Sequence, residues 1–231
     1  MAATVVLVHG AWHGAWCWDL VARRLDAVGI DNVALDLPSV NDADAALADD
    51  ADHVRAALDE LAPPVVLVGH SYGGAVITDA GTHPNVAHLV YLTAFALDHG
   101  ETVTENDLAG GEAMTLGDAI EATDDGMHFN QQQAVEYFFH DCEPDARASA
   151  AAQLRPMAVG AMTSSPRAIA WRERPATYVV CTDDRALPVA LQQSNARRIG
   201  NVVEMPTSHS PFLSRPDLVA DLLQRIAADY G

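Results

Sequence analysis

The sequence predicts a doubly wound α/β fold built on a six-stranded, mostly parallel sheet. Two observations lead to this fold class. Six short runs rich in Val and Leu are continuous rather than alternating, as is typical of strands covered on both faces. Helical patterns separate these runs, which implies parallel pairing through right-handed crossovers. The runs are TVVLVH, VALDL, PVVLVGH, HLVYLTAFAL, ATYVVCT and NVVEMP.

Turn residues mark the ends of the first two predicted helices. One helix is expected from Asp19 to Val28, where Gly29 closes it, since glycine readily takes the left-handed conformation that ends a helix. The next is expected over residues 45–61, and Pro63-Pro64 stops it because proline cannot continue a helix. Each helix lies between two predicted strands, as the fold class requires.

The interval from about residue 97 to 165 breaks this alternation. It contains no convincing buried strand but has two helical stretches, QQQAVEYFFH and EPDARASAAAQL, the second with Pro144 in its first turn. The acidic loop DLAGGEAMTLGDAIEATDDG precedes them. Nearly 70 residues is long for a surface connection. We therefore expect a single domain over residues 1–231, with residues 97–165 inserted as a helical cap or lid.

Composition limits the classes of partner. The chain carries 32 acidic and 13 basic residues, a net charge of −19, which disfavours binding to nucleic acid. No segment approaches 18 consecutive apolar residues, and the N-terminus lacks the basic region of a signal peptide. Three cysteines without a C-x-x-C pair indicate reduced thiols. These features predict a cytoplasmic protein that binds neither membrane nor nucleic acid.

A nucleophile motif follows the third predicted strand. Gly69-His70-Ser71-Tyr72-Gly73 is a G-x-S-x-G between a strand and a helix, which is the context that this motif requires. A serine in such a sharp turn is held clear of the sheet, and small neighbours relieve the crowding there. The new helix also directs unpaired N–H groups to the same place. Ser71 is therefore the candidate nucleophile.

A serine nucleophile needs a base and a carboxylate that orients the base. In folds of this type the chain order is serine, then acid, then histidine. Of ten histidines, only His209 follows the final predicted strand. The segment TDDRALP offers Asp183 and Asp184 at the carboxyl end of the sheet, and Asp98 is a more distant candidate. Spacing alone does not choose between the two adjacent carboxylates.

Five ordered stretches cover nearly the whole chain: VLVHGAWHGAWCW, ALDLPS, VVLVGHSYGG, CTDDRALP and SHSPFLSRPDLVADLL. This set resembles the α/β-hydrolase superfamily, and within it the branch of plant methylesterases and hydroxynitrile lyases with their bacterial esterase relatives. CEPDARASAAAQLRP resembles the cap of that branch. The resemblance implies that Asp184 is the triad acid. It also implies that the backbone N–H groups of Ala11 and Tyr72 form an oxyanion hole for a tetrahedral intermediate.

The same resemblance places HGAWHGAW beside the nucleophile. Gly10 would then allow close approach of the main chain, and Trp12 would shape the acyl pocket. Phe95 is expected to add apolar lining, whereas most other phenylalanines are expected in the core. Trp16 and Trp18 are expected to pack rather than contact a ligand.

The predicted function is a serine hydrolase that cleaves a small carboxylic ester, a methyl ester among the candidates, through an acyl-enzyme. It requires no metal and no organic cofactor. One alternative is a hydroxynitrile-lyase-like or C–C-cleaving enzyme on the same triad, and another is a non-catalytic ligand-binding protein. Lyases of the branch have threonine in place of Gly10, glutamate in place of His70 and lysine in place of Ser210, so the resemblance favours the esterases. The oligomeric state is open, a homodimer being a common arrangement.

Overall fold

The computed structural model describes residues 2–109 and 115–231. A six-stranded parallel sheet forms its centre, with strand order β2-β1-β3-β4-β7-β8. Its strands are β1 (Thr4–Val8), β2 (Asn32–Leu35), β3 (Val65–His70), β4 (Val86–Leu92), β7 (Ala176–Cys181) and β8 (Val202–Met205). These six strands match the six apolar runs in the sequence, so the predicted sheet is confirmed.

The central strand β3 shows why the runs are continuous rather than alternating. All six of its residues are buried, because helices cover both faces of the sheet. β3 pairs in parallel with β1, with Val66 opposite Val5, and with β4, with Leu67 opposite Leu89. The carboxyl ends of these neighbouring strands therefore meet at one edge, where parallel α/β sheets place their ligand sites.

Helices cover the two faces and contribute two apolar clusters. One cluster includes α1 (Asp19–Ala27) and α10 (Pro216–Ala228), and the other includes α2 (Leu47–Asp59), α3 (Gly73–Ala80) and α8 (Val189–Ile199). Gly29, just beyond α1, has φ 75°, the left-handed conformation expected of a helix-closing glycine. A short helix α9 (Pro211–Ser214) precedes α10.

The chain between β4 and β7 contains two strands as well as helices. It holds α4 (Val103–Ala109), the antiparallel hairpin β5 (Ile120–Thr123) and β6 (Gly126–Phe129), α5 (Gln131–Tyr137), α6 (Pro144–Ala152) and α7 (Val159–Thr163). The hairpin corrects the expectation of a purely helical cap. Its strands have four residues each and β5 is mostly exposed, so neither one shows the apolar run of a buried strand.

The acidic loop predicted before α5 forms part of this hairpin, and its residues 110–114 lie outside the described residues. All three cysteines are free and buried, as expected of reduced thiols. Across the described ranges, no helix combines the length and the apolar character needed to cross a bilayer.

Candidate active site

Ser71 sits in a strained turn between β3 and α3. Its φ is 51°, in the left-handed region that residues other than glycine seldom occupy. The flanking glycines make the turn sterically allowed. A Cβ on Gly69 would lie 2.5 Å from the carbonyl oxygen of Gly73, and a Cβ on Gly73 would lie 2.6 Å from that of His9. Backbone cannot give way as a flexible side chain can, so both positions require glycine.

The turn opens into a pocket with about 370 Å³ of empty space, its mouth included. Ser71 and His209 both line it. The other lining residues are mostly apolar: Ala11, Trp12, His13, Tyr72, Phe95, Leu116, Phe138, Met162, Ala186 and Leu187. Among the described residues that line the pocket, none is arginine, aspartate, glutamate or lysine. The pocket therefore suits a compact, uncharged ligand.

The imidazole of His209 is bonded to a buried carboxylate. Its Nδ1 lies 2.7 Å from Oδ2 of Asp184, and both side chains are almost inaccessible to solvent. An ionised carboxylate only accepts hydrogen bonds, so Nδ1 carries the hydrogen of the neutral ring. The other ring nitrogen, Nε2, is then left as a proton acceptor. This is the tautomer that a general base needs.

The carboxylate of Asp184 accepts hydrogen bonds from four other donors. Oδ1 accepts the backbone N–H groups of Ala186 and Leu187, at 2.7 and 2.9 Å. Oδ2 accepts the hydroxyl of Thr93 at 2.6 Å and the amide of Gln192 at 3.2 Å. These bonds fix the orientation of the buried carboxylate.

The two other acid candidates lie elsewhere. The side chain of Asp183 is exposed, and its backbone carbonyl accepts a hydrogen bond from Nε2 of His140 at 2.8 Å. Asp98 forms an ion pair with Arg172 at 2.5 Å. Of the three candidates, Asp184 is the one that bonds His209, as the family resemblance implied and as spacing alone did not decide.

Ser71 and His209 face the same pocket, but in the described part of the chain no hydrogen bond joins Oγ to Nε2. Hydrogen bonds between a nucleophile and its base are often long in ligand-free sites and shorten when a substrate binds. Ser71 and His209 therefore share one pocket without a direct hydrogen bond between them.

Two backbone N–H groups border the pocket beside Ser71. Those of Ala11 and Tyr72 donate to no acceptor within the described residues. Ala11 belongs to the turn after β1, residues 10–13, which we call the β1 turn. Ala11 and Tyr72 are both buried, so their N–H groups can donate to a ligand atom in the pocket but are shielded from bulk water.

The two histidines of HGAWHGAW, His9 and His13, form hydrogen bonds with carbonyls of the β1 turn. Nδ1–H of His9 donates to the carbonyl of Gly10 at 2.8 Å, and Nδ1–H of His13 donates to that of Ala11 at 2.8 Å. Nε2 of His9 in turn accepts the backbone N–H of Leu37 at 3.0 Å. The imidazoles thus satisfy the carbonyls of Gly10 and Ala11, whereas the N–H of Ala11 has no partner in the described part of the chain.

Burial keeps these rings neutral. It lowers the pKa of His9 to about 4 and that of His13 to about 3, although their hydrogen bonds to backbone carbonyls oppose the shift. The pKa of His70 is also far below the usual range, first because of burial and then because of the charge that His209 can carry. These three rings therefore place no positive charge beside His209 near neutral pH.

Gly10 and His70 fit against each other beneath the nucleophile. A Cβ on Gly10 would lie 2.7 Å from Nδ1 of His70 and 2.8 Å from Cβ of Ser71. Nε2–H of His70 donates to the carbonyl of His209 at 2.8 Å. His70 therefore holds the backbone of His209, and Gly10 makes room for it. Gly10 itself contributes no pocket lining.

The predicted substrate contacts have different positions. Trp12 and Phe95 both line the pocket, as does Phe138 from the segment between β4 and β7. Trp16 and Trp18 are not among the lining residues, and Trp18 packs against Phe212 with ring centroids 5.1 Å apart.

Sequence reasoning missed the residues that support the reacting groups. Thr93 and Gln192 bond Asp184, and Asp141 accepts the N–H of Ser208 at 2.8 Å next to His209. None of them belongs to a motif. Thr93 alone carried a local signal, since it is a polar residue inside the apolar run HLVYLTAFAL, directly after β4 at the edge of the sheet where sites form.

Comparison with known proteins agrees with this geometry. The family model described as "Alpha/beta hydrolase family" matches residues 5–222. A pyrethroid hydrolase of Sphingobium wenxiniae is 30% identical over 96% of this chain and 87% of its own. Methylesterase 2 of Arabidopsis thaliana is 27% identical over 97% of this chain and 96% of its own. The crystal structure of a pyrethroid hydrolase from Sphingobium faniae superposes with a TM-score of 0.86 at 26% identity, covering 100% of both chains. The chain belongs to the alpha/beta hydrolase family.

Proposed function

We propose that the chain is a serine esterase that hydrolyses a small, uncharged carboxylic ester through an acyl-enzyme. One observation carries this proposal: a single apolar pocket gathers the hydroxyl of Ser71, the His209–Asp184 pair and the unpaired N–H groups of Ala11 and Tyr72. A nucleophile, an oriented base and two fixed donors are the groups that acyl transfer needs.

In the first half of the reaction, Oγ of Ser71 attacks the carbonyl carbon of the ester while Nε2 of His209 takes its proton. The carbonyl oxygen becomes an oxyanion and accepts hydrogen bonds from the N–H groups of Ala11 and Tyr72, which need no reorganisation. The carboxylate of Asp184 stabilises the imidazolium. The bond to the alkoxy oxygen then breaks, and the imidazolium gives its proton to the departing alcohol.

In the second half, water attacks the acyl-enzyme. Nε2 of His209 removes a proton from this water, and a second oxyanion forms between the same two donors. The bond between the acyl carbon and Oγ of Ser71 then breaks, and His209 returns the proton to Oγ. The products are a carboxylic acid and an alcohol.

The pocket and the charge of the protein favour an uncharged substrate. No described lining residue has a fixed charge that could pair with an ionic group. The net charge of −19 also repels anionic esters. The names of these two relatives, pyrethroid hydrolase and methylesterase, indicate ester chemistry in those proteins. We infer the same bond type here.

We also propose that residues 97–165 form a cap over the pocket. Leu116, Phe138 and Met162 of this segment line the pocket together with Ser71 and His209 of the sheet domain. The segment thus supplies much of the apolar wall that an acyl group would contact, and it would restrict the length of that group.

A probe and a substrate panel test the proposal. A fluorophosphonate should label Ser71, and the panel should contain p-nitrophenyl esters of increasing acyl length, methyl esters and a cyanohydrin. We expect labelling and the highest kcat/KM on short uncharged esters. Ser71→Ala should lose labelling and about a thousandfold or more of kcat. Ser149→Ala, at an exposed position in α6, is the matched control and should keep both.

The same panel separates the alternatives. Cyanohydrin cleavage faster than ester hydrolysis would favour the lyase, although no described lysine or arginine lines the pocket to stabilise a departing anion. A folded protein that neither reacts with the fluorophosphonate nor turns over any ester would refute the esterase and favour a ligand-binding protein.

A further inference from the structure

We propose that Arg155 is a positioning residue that holds the β1 turn in the conformation needed to stabilise the oxyanion. This inference rests on the esterase proposed above. Arg155 lies in the segment between β4 and β7, whereas Ala11 belongs to the β1 turn, which follows a strand of the central sheet. The bonds between them connect the cap to the donor side of the site.

The four carbonyls of the β1 turn divide into two pairs. Those of Gly10 and Ala11 accept hydrogen bonds from His9 and His13, within or next to the turn. The other two, those of Trp12 and His13, both accept from Arg155. The backbone N–H of Arg155 donates to Trp12 at 2.8 Å, and its Nη2 donates to His13 at 3.3 Å. One distant residue therefore fixes the second half of the turn.

Trp12 needs such support because its backbone is strained. Its φ is 62°, a conformation uncommon for a residue with a side chain. The segment between β4 and β7 holds it at a second point, since the indole Nε1–H donates to the carbonyl of Met127 at 2.9 Å. Ala11 directly precedes this strained residue in the same turn, so we expect its N–H to shift when the support of Trp12 is lost.

The guanidinium of Arg155 is itself fixed. Nη2 pairs with Oδ1 of Asp36 at 2.7 Å, and Nη1 donates to Oδ1 of Asn41 at 3.1 Å. Oδ1 of Asp36 also accepts the backbone N–H of Ala15 at 2.8 Å. A planar fork with several donors can satisfy these acceptors together, whereas a lysine ammonium is a point charge on a flexible stem.

Gly14 gives an independent sign that the guanidinium belongs at this place. A Cβ on Gly14 would overlap Nη2 of Arg155 and would lie 2.8 Å from Oδ1 of Asp36. The second glycine of HGAWHGAW thus leaves room for the arginine. An alanine at position 14 should displace the guanidinium while leaving the arginine in the chain.

The test compares three variants on a p-nitrophenyl ester and on the matching thionoester, in which sulfur replaces the carbonyl oxygen. Arg155→Met keeps the backbone N–H and the aliphatic stem but removes the fork. Gly14→Ala displaces the fork. Arg172→Met is the control, because it breaks another arginine–aspartate pair, with Asp98, away from the β1 turn. Thermal melts establish that each variant is folded.

We expect Arg155→Met and Gly14→Ala to lower kcat on the oxo ester about ten- to hundredfold with KM within about twofold, because misdirected donors weaken binding of the transition state. The thionoester should lose less, since a thiocarbonyl sulfur accepts these hydrogen bonds poorly, so the oxo-to-thiono ratio of kcat should fall. Arg172→Met should change neither kcat nor the ratio by more than about twofold.

Two results would overturn the inference while leaving the esterase in place. One is a folded Arg155→Met variant with the kcat of the wild type. The other is an equal loss on both esters, which would indicate a general structural defect rather than a misdirected donor. Absence of ester turnover by the wild type would instead refute the proposed function, and the inference with it.

Discussion

Replacement of Asp184 by asparagine should abolish most activity because it moves the ring hydrogen of His209 from Nδ1 to Nε2. The amide oxygen will occupy the position of Oδ1, since the backbone N–H groups of Ala186 and Leu187 both point there, at 2.7 and 2.9 Å. The reversed orientation would set an NH₂ group against two donors and leave them unpaired, at roughly 1–3 kcal/mol each. The NH₂ group must therefore face His209.

An NH₂ group in that position donates to Nδ1 of His209, so the hydrogen of the neutral ring moves to Nε2. The ring then presents a donor to Ser71 instead of an acceptor, and the variant lacks the negative charge that stabilises the imidazolium. In serine hydrolases this combination lowers kcat by about ten-thousandfold, which corresponds to about 5 kcal/mol in the activation free energy. We expect a loss of this order with little change in KM.

The assay is the initial rate on a p-nitrophenyl ester at pH 7.5, with thermal melts to verify folding. Asp183→Asn is the matched control. It makes the same change one residue earlier on an exposed side chain, and it should keep kcat within about twofold. A loss smaller than tenfold in Asp184→Asn, or comparable losses in the two variants, would refute the assignment of the acid.

Two further predictions concern the buried histidines and Gly10. His9 and His13 have pKa values of about 4 and about 3 when folded and near 6.5 when unfolded, so the unfolded chain binds more protons below pH 6.5. Stability should be complete above pH 6.5 and fall as the pH approaches 4, by up to about 3 kcal/mol from His9 alone. Urea unfolding at pH 7.5, 6 and 5 measures this, and an unchanged free energy of unfolding would contradict it. Gly10→Ala places a Cβ 2.7 Å from Nδ1 of His70 and should cost about 1–3 kcal/mol of stability and more than tenfold in kcat. Gly117→Ala, with no described atom within 4 Å, is its control, and equal kcat values in the two variants would argue against the steric reasoning.

The sheet and the nucleophile turn could be predicted from the sequence because their signals are local. A strand covered on both faces must be apolar along its whole length, and β3 shows this in six consecutive residues. The turn at Ser71 needs glycine on both sides because a side chain there would overlap backbone atoms, and both glycines can be read directly from the sequence. Chain order then reduced ten histidines to His209.

The supports of the site could not be predicted, because each joins residues far apart in the chain. Thr93 and Asp184 are 91 positions apart, and the N–H of Arg155 meets Trp12 across an even longer interval. Long-range hydrogen bonds depend on how helices and strands pack together, and the hydrophobic pattern of the sequence does not reveal them. The hairpin β5–β6 was missed for another reason, since its short, polar strands lack an apolar run.

These supports would also constrain the movement of residues 97–165, the proposed cap. Between residues 127 and 158 it bonds three of the four loops that border the proposed site, the exception among the described residues being the turn of Ser71. At the β1 turn, Trp12 bonds Met127 and Arg155. In the loop that carries Asp184, the carbonyl of Asp183 accepts a hydrogen bond from His140. In the loop that carries His209, the N–H of Ser208 donates to Asp141.

Ser208 also donates its hydroxyl to Phe138 at 3.2 Å, and the N–H of Ala158 donates to Ser39 at 2.8 Å. With the four bonds just named, these are six of the hydrogen bonds that join residues 127–158 to the rest of the protein, and the guanidinium of Arg155 adds others. At a net value near 1 kcal/mol each, lifting this part of the cap as a rigid body costs at least about 6 kcal/mol. The lifted state would then hold about one molecule in ten thousand or fewer. We therefore expect a substrate to enter by local movement of pocket side chains such as Leu116 and Met162, while residues 127–158 hold the loops of the proposed site in place.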